Sequence, residues 1–281
     1  MNQMETRRMC PHCRAFITTK DRVCPYCNAE VGARAIDRRS PAPILGGLIS
    51  HAQFTTVVIL LINVGLYLGT VIASMRAGNN DAFLNLDSRT LLDFGGKERV
   101  YILLGKQYWR LVTAGFLHGG LLHIGMNMWV LFDVGAQVET VYGTARYLAI
   151  YFAGSVLGFI FSTLWSPYLS IGASAGLMGL IGAMIAFGIH HRSAIGAAIR
   201  GQYIRWVIYM LIIGILPGLQ IDNAAHIGGL VGGFGVAYVA GLQRVEGSWQ
   251  EKFWQVVAAI CVLLAAFSFF RMYQWLTHGG G

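Results

Sequence analysis

Two sets of residues in this 281-residue chain have the types and spacing to do chemistry. The first is Cys10, Cys13, Cys24 and Cys27, two Cys-x-x-Cys pairs set ten residues apart. Four thiolates at that separation suit one tetrahedral Zn²⁺, and so short a segment buries too little apolar surface to fold without a staple. With sulfur at all four positions no coordination site is left for a substrate, so this zinc would be structural. Two disulfides or a redox pair would use the same residues. Thiolates that must stay reduced place this end of the chain in the cytosol. Cys261 lies inside an apolar run and reads as a buried apolar side chain.

The second set is scattered. Ser174 stands among Gly172, Ala173, Ala175 and Gly176 at the start of an apolar run, where a helix would begin and its first backbone N–H groups would be free. By itself such a serine is a helix cap or part of a small-residue packing face. It becomes a nucleophile only with a base and an oxyanion stabiliser beside it. His226 is the candidate base: it precedes Gly228, Gly229, Gly232 and Gly233, a smooth face that could approach the serine's helix, although an interfacial histidine would look the same. His123 and Asn127 fall at i and i+4 on one helical face. They could donate two hydrogen bonds to a tetrahedral oxyanion, with the Ser174 N–H as a third, or act as a cap and an interhelical glue.

The elements that must position these residues are membrane helices. At 55% hydrophobic and 12% charged residues, with a mean hydropathy of +0.55, the composition is that of a chain that lives in lipid. The net charge of +8 sits in short clusters between apolar runs, a pattern of membrane orientation rather than of nucleic-acid binding. Spanning runs are predicted over 54–75, 123–141, 145–165, 174–190, 203–216, 226–242 and 253–276. The 174–190 and 203–216 runs are short and should be surrounded by protein or thinned bilayer. Loops 166–173 and 217–225 lack Lys and Arg, whereas Arg146, Arg192, Arg200, Arg205, Arg244 and Lys252 fall in the alternate loops. The N-terminus is therefore expected in the cytosol and the C-terminus outside. In that orientation His123, Ser174 and His226 all begin helices at the outer face, at one depth.

The remaining polar segments fill in the organisation. Residues 1–33 are read as the zinc ribbon, retained because they lack the apolar core of a signal peptide. Residues 34–53 form a linker with Pro41, Pro43, Gly46 and Gly47, 54–242 a six-span core, and 243–281 a seventh span with its tail. Residues 76–122 read as a partly helical loop at the interface, with Trp109 and Arg110 anchoring it in lipid. Asp222, four residues before His226, could orient the imidazole or be a solvated loop charge. Glu139 is expected to be a structural hydrogen-bonding group.

These residues resemble those of the rhomboid intramembrane serine proteases. The matching pieces are Trp109-Arg110, His123-xxx-Asn127, Gly135-xxx-Glu139-xxx-Gly143, Gly172-x-Ser174 and Ala225-His226-xx-Gly229-xxx-Gly233. They occur in the family's order over residues 54–242, and the seventh span fits the six-plus-one arrangement of some members. The resemblance implies an all-α polytopic membrane protein, a six-helix bundle plus one C-terminal helix. It also implies cleavage of transmembrane protein substrates within the bilayer at an outward-facing site, by a Ser174–His226 dyad with His123 and Asn127 at the oxyanion and no catalytic cofactor. A bacterial cytoplasmic membrane is the expected location. Ala175 departs from the family's usual Gly, and Met178 stands where many members carry an aromatic that packs on the histidine. The ribbon lies outside the shared core; it is expected to bind a cytosolic partner or to serve as a folding anchor. A catalytically silent membrane chaperone or adaptor would share the fold, but such members commonly lose the serine or the histidine.

Overall fold

The computed structural model describes residues 7–10, 12–18, 21–31, 53–217, 221–242 and 248–278. The sequence-predicted linker lies outside them apart from its last residue. Two compact units divide the chain, Met1–His51 and Ala52–Gly281.

In the first unit, strands β1 (Arg7–Met9) and β2 (Phe16–Thr18) pair antiparallel with Arg8 opposite Ile17. Its two Cys-x-x-Cys segments adopt the same turn. Arg14 N–H donates to the Cys10 carbonyl and Asn28 N–H to the Cys24 carbonyl, both at 2.9 Å. Each turn closes on a left-handed residue, Arg14 at φ 60° and Asn28 at φ 55°. Cys10, Ile17, Cys24 and Val31 make the only apolar cluster described in this unit. Four side chains are too few to offset the conformational entropy of ordering such a segment.

Every helix described belongs to the second unit. They run in order α1 (Phe54–Arg76), α2 (Ser88–Asp93), α3 (Arg99–Leu103), α4 (Arg110–Thr113), α5 (Leu121–Val130), α6 (Ala136–Trp165), α7 (Ser174–His190), α8 (Ala194–Ile213), α9 (Asn223–Ala240) and α10 (Trp249–His278). Helix α1, the continuous run Leu121–Trp165 and α10 are long and apolar enough to cross a membrane; α7 is a shorter apolar helix. The loop predicted as partly helical contains α2, α3 and α4. The two spans expected at 123–141 and 145–165 are one helical path, widened into a π turn at Leu131–Gly135 and broken at Gly143. Gly143 has φ 76°, which a side chain would resist, and this separates the two halves. One turn earlier, Glu139 accepts from Thr55 N–H at 3.1 Å, Thr56 N–H at 2.9 Å and Thr56 Oγ1 at 2.8 Å. Its carboxylate thus caps the start of α1, where helix N–H groups lack partners.

The centre of the unit is a contact among α6, α7 and α9 in which side chains are nearly absent. A Cβ placed on Gly154 would lie 2.9 Å from the Gly179 Cα, and one on Gly158 would lie 2.7 Å from both the Ala175 Cβ and the Ala225 carbonyl oxygen. On α9, a Cβ at Gly229 or Gly233 would run into the backbone of Ala175 or Gly179. Such backbone-to-backbone approach is how small residues hold membrane helices together. Just past the Gly143 break in α6, Arg146 forms a buried two-pronged pair with Glu251 of α10, at 2.7 and 2.8 Å. Arg146, expected from the sequence as a loop cation, is instead a buried, paired group and carries no weight in orientation.

Candidate active site

Ser174 is the first residue of α7, with Ala173 in the cap position. Its hydroxyl makes no cap bond; Oγ lies instead 3.0 Å from Nε2 of His226. Its side chain points at an imidazole rather than at its own helix. The backbone places it there twice over: Gly229 of α9 faces the carbonyl of Ala175, and Gly158 leaves room for the Ala175 methyl, the departure noted from sequence. Met178, the other departure, is buried at 2% exposure.

His226 sits in the first turn of α9 and is 3% exposed. Among the described residues its Nδ1 has no hydrogen-bond partner. Asp222 does not orient the ring, nor is it a solvated loop charge. It caps α9 by accepting from the Ala225 N–H at 3.0 Å and also accepts from the Ser162 hydroxyl.

His123 is brought to the same place from α5. Gly119 N–H donates to its Nδ1 at 3.2 Å, so the neutral ring carries its proton on Nε2. That nitrogen faces the turn before α7: a Cβ on Gly172 would meet His123 Nε2 at 2.8 Å and Ser174 Oγ at 3.6 Å. Gly172 also holds φ 123°, so both its conformation and its neighbours exclude a side chain. Asn127 is buried one turn along α5, where its amide donates to the His123 carbonyl at 2.8 Å. One amide proton is used locally and the second remains; no described contact joins Asn127 to Ser174.

Trp109 and Arg110 do not anchor the loop in lipid. Arg110 is fully buried, donating from Nη1 to the carbonyls of Leu92 at 2.6 Å and Gly96 at 3.0 Å and from Nε to Gln107 at 2.6 Å. The Tyr101 and Trp109 rings flank its guanidinium at 4.5 and 4.6 Å. It is an internal strut that satisfies loop carbonyls. Three further features escaped the sequence reading. Gly154 and Gly158 are spaced at i and i+4, a small-xxx-small signal that was present on α6. His118 is fully buried with its ring edge-on to His123, centroids 5.1 Å apart, and Lys97 is buried in the loop. Neither of these last two lies in a periodic pattern that would have marked it.

In the first unit the four cysteine sulfurs lie within 4.8 Å of one another. Cys10 and Cys27 are 3.7 Å apart and Cys13 and Cys24 3.6 Å. The edge of a tetrahedron of sulfurs around zinc is about 3.8 Å, given Zn–S of about 2.3 Å. The donor set and spacing fit, so the cluster could hold a metal ion.

A Rhomboid domain is matched over residues 105–243. Rhomboid-like protease 2 of Toxoplasma gondii is 30% identical over 210 residues, covering 73% of this chain and 70% of that protein. The chain belongs to the rhomboid family. Among its other rhomboid relatives, Rhomboid protease GluP of Bacillus subtilis is 37% identical over 176 residues, 63% of this chain and 34% of GluP. Inactive RHOMBOID-like protein 8 of Arabidopsis thaliana is 31% identical over 161 residues, 56% of this chain and 45% of that protein. The chain thus spans less than two thirds of the length of several curated relatives. The rhomboid match covers α4 to α9, the segment carrying Ser174, His226, His123 and Asn127.

Proposed function

We propose that this rhomboid is an intramembrane serine endopeptidase that cleaves transmembrane segments by a Ser174–His226 dyad. The observation that carries the reading is the 3.0 Å approach of Ser174 Oγ to His226 Nε2. His226 Nε2 takes the hydroxyl proton as Oγ attacks the scissile carbonyl. The oxyanion so formed is stabilised by the His123 Nε2–H, the free backbone N–H of Ser174 and the remaining amide proton of Asn127. Collapse expels the amine, which takes the proton from His226. Water then attacks the acyl ester, again passing its proton to His226, and the departing Oγ recovers one. No acidic third member is assigned, because Asp222 is committed to capping α9 and to Ser162. Packing at 3% exposure holds the imidazole instead. No cofactor takes part.

Substrates are transmembrane helices that unwind locally, since a hydrogen-bonded peptide in an intact helix is shielded from attack. Small side chains are expected at the cleaved position, because His123 and Ser174 close on the space beside Gly172. The site opens toward the outer face, with the N-terminal unit in the cytosol holding a structural zinc on Cys10, Cys13, Cys24 and Cys27 and offering a surface to a cytosolic partner. The test is cleavage of a single-span substrate by the purified protein in lipid. Ser174→Ala and His226→Ala should each abolish it; cleavage at the wild-type rate in either variant would reject the dyad, and absence of cleavage by the wild type itself would favour the non-proteolytic adaptor reading.

A further inference from the structure

Lys97 lies between α2 and α3, away from the dyad, and is completely buried. Its ammonium donates to two backbone carbonyls, Ser166 at 2.6 Å and Tyr168 at 3.0 Å. Its own backbone pairs with Ser170 in a two-way bridge, Lys97 N–H to Ser170 O at 3.0 Å and Ser170 N–H to Lys97 O at 2.9 Å. Four residues after Ser170 comes Ser174, and between them Gly172 N–H donates to the Ala114 carbonyl at 2.9 Å. Residues 166–172 are therefore fastened along their length to the preceding loop, and the last fastened residue is the one whose Cβ position is shared by His123 and Ser174.

We propose that Lys97 is a positioning residue for Ser174, holding the 166–172 segment so that Gly172 and the start of α7 lie against His123. Burying an ammonium is costly unless it is well satisfied. Among the described residues no carboxylate lies within ion-pair distance of Lys97, so its stabilising partners are the two carbonyls. An apolar side chain would fill the same volume without that penalty. What it could not do is fix two consecutive turns of an irregular loop by charge-assisted hydrogen bonds. The proposal rests on the reading of Ser174 as nucleophile.

The electrostatic surroundings give the clamp a pH dependence. Burial pulls the Lys97 ammonium down to about 8, opposed by the carboxylates of Asp222 at the start of α9 and Glu98 before α3, and aided by Arg99 on α3. The 166–170 segment presents carbonyls and the Tyr168 ring. The charged form, and with it the full strength of the clamp, is present below that pH and is lost as pH rises through it.

The experiment measures kcat and KM on a single-span substrate from pH 6 to 10, using the full chain in lipid vesicles. Wild type, Lys97→Met, Lys97→Arg, Ser174→Ala and the exposed-loop control Arg89→Met are compared. Lys97→Met should lower kcat about 10- to 100-fold with KM within about threefold, the scale expected of displacing a reacting group by a fraction of an ångström to one ångström. Wild-type kcat should fall on the alkaline side of pH 8. Lys97→Arg should keep more activity than Lys97→Met and lose that alkaline fall. A wild-type kcat in Lys97→Met overturns the proposal. Should Lys97→Met fail to fold, a wild-type kcat that stays flat from pH 7 to 9.5, or an identical alkaline fall in Lys97→Arg, overturns it instead. If Ser174→Ala cleaves normally, the reading of Ser174 as nucleophile fails and this one falls with it. A dead Ser174→Ala beside a fully active Lys97→Met rejects the Lys97 assignment alone.

Discussion

Ser174 is held from two sides by two different kinds of contact. From within the bundle, α7 is pressed against α6 and α9 largely through backbone, with Gly154, Gly158, Gly229 and Gly233 leaving room for little more than the Ala175 methyl at these contacts. From the loop side, the segment before α7 is tied by hydrogen bonds from Lys97 and by the Gly172 N–H donating to the Ala114 carbonyl, and the loop that offers these groups is itself braced by Arg110. The first contact sets the Ser174–His226 distance, since those two helices carry the two groups. The second sets the turn that faces His123. One is dispersion over a smooth surface that tolerates no added volume; the other is a few directional bonds that tolerate a change of volume but not of polarity.

The comparison breaks most severely on the glycine side. Gly233→Leu puts a branched side chain where the Gly179 backbone lies, and α7 and α9 must separate. Cleavage should disappear and the thermal midpoint should drop by several degrees; near-normal activity would show that these helices are not what sets the dyad. On the loop side, Arg110→Met leaves the Leu92 and Gly96 carbonyls without their buried donor, at a cost of about 1–3 kcal/mol. Here kcat should fall about tenfold while the protein stays folded, a milder outcome than a volume clash. A loss as complete as that of Gly233→Leu would erase the distinction between the two sides.

Remote contacts should matter less still. Arg146→Met removes the two-pronged Arg146–Glu251 pair and should lower the thermal midpoint, whereas replacing both partners with apolar residues should restore most of it. Neither variant should change the pH dependence of kcat. Smallest of all, treatment with a zinc chelator should abolish the β1–β2 pairing, read by amide exchange in that unit, and leave cleavage within about twofold. Loss of cleavage with the helical unit intact would give the ribbon a direct part in activity.

The two sides were not equally legible in the sequence. Glycines repeated on α9 are a local, periodic signal, and so are the two Cys-x-x-Cys pairs, because the residues that act together are neighbours on one element. The all-helical membrane fold followed from apolar runs for the same reason. Lys97 and Arg110 act on carbonyls of irregular backbone, and a lone cation in a polar loop has no pattern that separates a strut from a solvated charge. Arg146 was misplaced because its partner Glu251 is 105 residues away. Asp222 was undecided because capping α9 and orienting His226 require the same residue at the same distance along the chain. The Nδ1 of His226, unpartnered among the described residues, and the Ser162 contact, from a third helix, separate the two roles.

The most direct test of the dyad is covalent capture by a fluorophosphonate, followed by mass spectrometry of the adducted peptide. Attack of Oγ on phosphorus expels fluoride and passes the hydroxyl proton to His226. In the wild type the adduct is expected on Ser174 alone, and in His226→Ala its rate of formation should fall by at least about 100-fold. Adduct on another residue, or Ser174 labelled equally fast without the imidazole, would contradict the assignment of Ser174 and His226 as nucleophile and base.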